Sequence, residues 1–128
     1  MHFLIRWITF LVLAVATLGA PRLLALGEAP PGRGAPAIPD IAARELPSEA
    51  RATLALIDRG GPFPYDRDGI VFRNFEKRLP LHERGYYREY TVRTPGVNHR
   101  GARRVVAGGG GELYYTDDHY QSFKRIRR

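Results

Sequence analysis

Glu89 in the run RGYYREYTV, His119 in YYTDDHYQSF, and Arg100, Arg103 and Arg104 in RGARRVV are the side chains whose types could do chemistry together. A carboxylate and an imidazole can exchange protons with a reacting group, and guanidinium groups can stabilise a developing oxyanion. A phosphodiester of RNA is cut by such a set. A base takes the proton of the ribose 2′-OH, an acid protonates the departing 5′-oxygen, and cations hold the charge that gathers on the phosphoryl oxygens. No metal is needed for this route, because the nucleophile is part of the substrate. Each residue alone also has a plainer reading: a strand glutamate on a solvated face, a turn histidine, a basic patch.

The elements that must position these groups follow from breakers and periodicity. Ser48 can cap a helix over Glu49 to Arg59, stopped by Gly60-Gly61. Leu46, Ala50, Leu54 and Ile57 recur at helical spacing and predict one buried stripe. Short β-rich runs follow at Ile70–Phe72, Tyr86–Val92, Arg103–Ala107, Glu112–Tyr115 and Ser122–Ile126, separated by Pro, Gly and Asp clusters. Connections this short suit antiparallel pairing, since parallel strands need long crossovers. The expectation is an α+β fold, an N-terminal helix packed on one face of a twisted five-stranded antiparallel sheet. Alternation puts Tyr87, Glu89 and Thr91 on one face and Arg88, Tyr90 and Val92 on the other. If the helix covers the second face, Glu89 points into the open one. The same alternation lets only one of Arg103 and Arg104 join it.

Composition bounds the rest. The chain has 128 residues, 20 Lys+Arg against 13 Asp+Glu, a net charge of +7 and no cysteine. A disulfide framework, a thiolate nucleophile and Cys-based metal sites are excluded, and the charge favours polyanionic partners. Residues 1–27 read as a signal peptide, with the uncharged stretch Trp7–Ala20 as its apolar region and an uncleaved N-terminal anchor as the alternative. Residues 28–45, with Pro30, Pro31, Pro36 and Pro39 among glycines and alanines, read as an extended linker. Residues 46–128 are left as the folded domain.

The segments GPFPYDRDG, VFRNFE, RGYYREYTV, TPG, RGARRVV and YYTDDHYQSF, in that order and with short gaps, resemble the barnase-like bacterial guanyl-specific ribonucleases from about Leu54 to Ile126. The resemblance implies a secreted endoribonuclease that cuts single-stranded RNA 3′ to guanosine through a 2′,3′-cyclic phosphate, with no cofactor or metal. It implies Glu89 as general base, His119 as general acid, and Arg100 and Arg104 on the scissile phosphate, with Arg103 structural or peripheral. Glu76 would accept from guanine N1–H and N2–H, and backbone amides of Arg73, Asn74 and Phe75 would meet O6 and N7. Phe72 and Tyr120 would form an aromatic platform, and Asn74 would hold the recognition loop in shape. A monomer and a small acidic inhibitor of the barstar type are implied as well. Phe75 departs from the pattern, since the family often has Arg there. An exported basic module that binds RNA or another polyanion without turning it over is the alternative of a different class.

Other features have plain readings. Asp66-x-Asp68-Gly69 lacks the further ligands of a calcium loop and reads as a turn. Gly108–Gly111 is followed by no Lys-Ser/Thr and reads as a hairpin connection. His82 and His99 read as solvated, and the C-terminal Lys124, Arg125, Arg127 and Arg128 as a solvated basic end, with non-specific attraction to RNA as the alternative.

Overall fold

The structure, a computed structural model, describes residues 37–128. The signal peptide and most of the linker expected from the sequence lie outside the described residues. Helix α1 spans Ser48–Arg59. Ser48 is its first residue and not its cap: Pro47 occupies the cap position and supplies no side-chain bond. Glu49 lies in the first turn and Arg59 in the last, each the favourable sign for the helix dipole. Gly60 ends the helix at φ 74°, where a side chain would be strained, and Gly61 N–H closes back on Leu56 O at 2.9 Å.

The strands are β1 Asp40–Ala42, β2 Ile70–Phe72, β3 Tyr87–Thr91, β4 Arg104–Gly108, β5 Leu113–Thr116 and β6 Lys124–Arg127. They form one sheet in the order β1-β6-β5-β4-β3-β2. Five of them make the expected antiparallel meander. The sixth, β1, corrects the five-strand expectation, because it pairs in parallel with β6 through Asp40↔Arg125 and Ala42↔Arg127. Three residues are too few to show a period of two, and the crossover a parallel pair needs is here the whole intervening domain. The ordered sheet therefore begins inside the Pro-rich stretch that composition marks as linker, and a single 3-10 turn, Ala43–Glu45, leads on to α1.

The two faces of the sheet are covered differently. Leu46, Ala50 and Leu54 pack against Val92, Val105, Leu113, Tyr115 and Ile126, the helix-covered core that the stripe predicted. On the opposite face Tyr87, Val106, Tyr114, Phe123 and Leu79 form a second core, flanked by Phe72 and Tyr120. The Glu89 face is thus not open to solvent. Loops after β2 and β5 fold over it, and Glu89 is only 7% exposed.

Two contacts fix β3, the strand that carries Glu89. Thr53 Oγ1 of α1 donates to Thr91 O at 3.1 Å. Because β2 begins at Ile70, opposite Glu89, Thr91 has no β2 partner. Asp68 Oδ1 accepts from Thr91 N–H instead, at 2.7 Å, while Asp68 Oδ2 accepts from Tyr65 N–H at 3.2 Å. This carboxylate is a splice between loop and strand, which accounts for the Asp66-x-Asp68-Gly69 turn. Among the described residues no group of three or more His, Asp or Glu side chains could hold a metal ion. Replacing Asp68 with Ala leaves the N–H of buried Thr91 without an acceptor. Urea unfolding should then show a loss of about 1–3 kcal/mol in stability; an unchanged midpoint would mean that water replaces the carboxylate without cost.

Candidate active site

Strands β3 and β4 put Glu89, Thr91 and Arg104 on the face away from α1, with Glu89 opposite Val106 and Thr91 opposite Arg104. Arg103 is out of phase, and its charge acts on Tyr115 of the helix-side core. Of the two neighbouring arginines only Arg104 shares the Glu89 face, as alternation requires.

Glu89 is held from two sides. Arg100 Nη2 donates to Oε1 at 3.3 Å, and Tyr120 O–H donates to Oε2 at 2.7 Å. Arg100 is in turn fixed by Thr91 Oγ1, which accepts from Nε at 3.1 Å and from Nη2 at 2.9 Å. The chain turns back after Arg100 through Gly101 at φ 66°, where a Cβ would collide with the Thr94 side chain, so only glycine fits the RGARR turn. Arg104 is 2% exposed. Its Nη1 donates to Gly101 O at 2.9 Å and Arg103 O at 2.7 Å, while its Nε has no partner among the described residues.

His119 and Tyr120 sit in the turn after β5 with φ 54° and 69°. Asp118 stabilises this unusual backbone: its Oδ1 accepts from Thr116 O–H at 2.8 Å and Ser122 N–H at 2.9 Å. Thr116 Oγ1 accepts from Tyr120 N–H at 3.1 Å, and His119 N–H is anchored on Ala102 O at 3.0 Å. The turn leaves the His119 side chain exposed and drives the Tyr120 phenol inward onto Glu89.

The loop after β2 is shaped by Asn74 at φ 53°. Its side-chain amide donates to Leu79 O at 2.9 Å and its oxygen accepts from Leu79 N–H at 3.0 Å, so Asn74 clamps the loop at both ends. The backbone N–H groups of Arg73, Asn74 and Phe75 donate to no backbone acceptor among the described residues. Phe72 stacks on Tyr120, with ring centroids 5.0 Å apart. Phe75 is 78% exposed, with the Arg73 guanidinium 5.6 Å from its ring centroid. A cation thus stays at the loop although Phe75 stands where the family often has one.

One cavity of about 540 Å³ brings these parts together. Glu89, His119, Phe72, Arg73, Asn74, Phe75, Glu76 and Tyr120 all line it. Arg100 and Arg104 do not line it and stand behind its wall, Arg100 through Glu89 and Arg104 with its guanidinium 5.9 Å from the Tyr120 ring centroid. Three features were missed in the sequence. Arg78 forms an ion pair with Glu76, a contact across the loop that spacing alone does not reveal. Arg67 and Gln121 also line the cavity. Tyr120 is a hydrogen-bond donor to Glu89 as well as an aromatic surface, which no local pattern signals. Of the residues read as solvated, His82 stacks on Tyr86 at 3.6 Å between centroids and Arg128 makes a two-pronged bond to Asp58, both at 2.8 Å.

A family model described as ribonuclease matches residues 33–127. Guanyl-specific ribonuclease Sa3 of Kitasatospora aureofaciens is 61% identical over 82 residues, which cover 63% of this chain and 58% of that protein. Guanyl-specific ribonuclease St of Saccharopolyspora erythraea is 58% identical over 80 residues, covering 62% of this chain and 79% of that protein. Among solved structures, ribonuclease Sa2 in complexes with mononucleotides matches at TM-score 0.72 and 56% identity, over 73% of this chain and 97% of that one. A structure of ribonuclease Sa2 with guanosine-2′-cyclophosphate matches at TM-score 0.69 and 55% identity, over 71% of this chain and 97% of that one.

The Tyr120 phenol is pushed up to about 12, first by burial and then by its bond to the Glu89 carboxylate. Burial likewise raises Tyr87, Tyr114 and Tyr115. The unfolded chain therefore releases these protons first, near pH 10 as in ordinary tyrosine, while the folded chain keeps them. Stability should be constant with respect to these groups below about pH 10 and fall as pH rises toward 12. Tyr120→Phe should make that fall shallower in urea titrations across the alkaline range; an equal slope in both proteins would contradict a Tyr120 phenol raised by burial and by its bond to Glu89.

Proposed function

The chain belongs to the family of guanyl-specific microbial ribonucleases, and on that premise we propose that it cleaves single-stranded RNA 3′ to guanosine by metal-independent transesterification. The observation that carries this is the lining of one cavity by Glu89, His119 and the residues 72–76. Glu89, ionised and held by Arg100 and Tyr120, takes the 2′-OH proton. His119, protonated and on the exposed rim of the same cavity, delivers a proton to the leaving 5′-oxygen. The products are a 2′,3′-cyclic phosphate on guanosine and a free 5′-hydroxyl. Water then opens the ring with the two roles exchanged. Arg104, whose buried Nε has no partner among the described residues, and Arg100 oppose the negative charge of the phosphorane.

Guanine selection follows from the loop. The free N–H groups of Arg73, Asn74 and Phe75 match the acceptors O6 and N7, and the Glu76 carboxylate matches the paired donors N1–H and N2–H. Adenine has no such donor pair. Phe72, Tyr120 and the exposed Phe75 supply aromatic surface, and base stacking of this kind contributes ~1–3 kcal/mol. Arg78 pairs with Glu76 and so lies beside that carboxylate.

We further propose that the protein is exported, on the strength of the leader-like residues 1–27, and acts as a monomer. A small acidic inhibitor of the barstar type would suit the arginines around the cavity.

Incubation of the full chain with GpA and ApA in the presence of chelator tests the reading. Cleavage of GpA alone, with guanosine 2′,3′-cyclic phosphate as first product, is expected, with a bell-shaped pH dependence because base and acid must be ionised and protonated together. Salt-sensitive binding without turnover would favour the silent polyanion-binding module. Separately, His119→Gln should slow cleavage by about 10²–10⁴-fold while leaving thermal unfolding nearly unchanged, since the side chain is exposed; normal turnover would remove it from the role of acid.

A further inference from the structure

A second cavity of about 520 Å³ lies beside the first, and Arg78 lines both. Lys77, Arg125 and Arg127 also line it. The carboxylate present, Asp40, is already committed to Arg127 Nε at 3.0 Å. The cavity therefore offers more positive charge than its own acid can neutralise. Tyr114 forms part of its wall and is 3% exposed as a residue. Arg125 pairs with Tyr114 across β5 and β6, which sets guanidinium and phenol side by side on the cavity face. Leu79 and the 70% exposed Leu81 add an apolar edge.

We propose that this cavity is a subsite for a second nucleotide of the same RNA strand, its phosphate received by Arg125 and the Tyr114 hydroxyl and its sugar or base resting on Leu79 and Leu81. The inference rests on the ribonuclease reading of the neighbouring cavity. Its size falls in the range of roughly 300–1,000 Å³ typical of ligand sites, its charge suits a phosphodiester, and Arg78 makes it continuous with the guanine loop. A substrate too short to reach it gains nothing from it. A longer one gains affinity that depends on salt, because each phosphate contact releases condensed counterions.

The test compares the full chain with its Arg125→Gln and Tyr114→Phe variants. Tyr114→Phe keeps the ring in the core and removes only the hydroxyl. Two substrates are used, GpA and a hexanucleotide containing a single G. Fluorescence anisotropy with the 2′-deoxy hexanucleotide, which cannot be cleaved, reads binding independently of turnover. The expected result is unchanged kcat/KM on GpA in both variants, with kcat/KM on the hexanucleotide lowered about fivefold or more. The salt slope of deoxy-hexanucleotide binding should also become shallower by about 0.7 in Arg125→Gln. Equal effects on the two substrates, or no effect on the hexanucleotide and no change in slope, would overturn the subsite. If GpA itself is not cleaved by the parent chain, the ribonuclease reading fails, and the anisotropy still decides whether the cavity holds a phosphate.

Discussion

A carboxylate 7% exposed on a central strand is the constraint around which the molecule is arranged. Glu89 shares its face with Tyr87 and Val106, so its charge is taken largely out of water. The effective cost of such a transfer is on the order of several kcal/mol unless partners replace the lost hydration. Arg100 and Tyr120 are those partners, and each needs its own support. Thr91 and the glycine-only turn at Gly101 aim Arg100, while Asp118 and Thr116 force the left-handed turn that swings Tyr120 inward. Much of the local backbone irregularity near the cavity serves this one group.

The same devices give Glu89 and His119 different surroundings. The turn that carries Tyr120 inward leaves His119 exposed, so a buried, firmly held carboxylate and an exposed imidazole line one cavity. Two aromatic rings of the cavity, Phe72 and Tyr120, stack on each other and are braced by Phe123. Tyr120 thereby joins the aromatic wall of the cavity to the carboxylate, since its ring stacks on Phe72 and its hydroxyl donates to Glu89. Arg100 and Arg104 lie outside the cavity lining, and backbone carbonyls accept from Arg104 Nη1 while its Nε has no partner among the described residues.

Much of this was legible in the sequence, for identifiable reasons. Helical spacing of Leu46, Ala50 and Leu54 found the covered face of the sheet, and a period of two correctly separated Arg104 from Arg103. Glycine and proline clusters placed the strand boundaries to within a residue or two. What was not legible depends on distance in the chain. The pairing of Asp40–Ala42 with β6 joins residues at opposite ends of the domain, and a three-residue strand carries no period. The closure of the Glu89 face needed loops from two separate connections. The Glu76–Arg78 pair and the Tyr120–Glu89 bond are side-chain contacts that local propensity does not encode.

The central claim is that Glu89 is the group that takes the proton, and the isosteric change Glu89→Gln probes it most directly. An amide of the same shape still accepts from Tyr120, so guanine binding should survive, but it cannot accept the 2′-OH proton. Single-turnover cleavage of a guanosine-containing dinucleotide, measured beside the affinity for guanosine 3′-monophosphate, should show a loss of about 10²–10⁴ in rate with affinity held within a fewfold. Undiminished cleavage by that variant would contradict the account, and the buried carboxylate would then be a structural ion partner of Arg100 and nothing more.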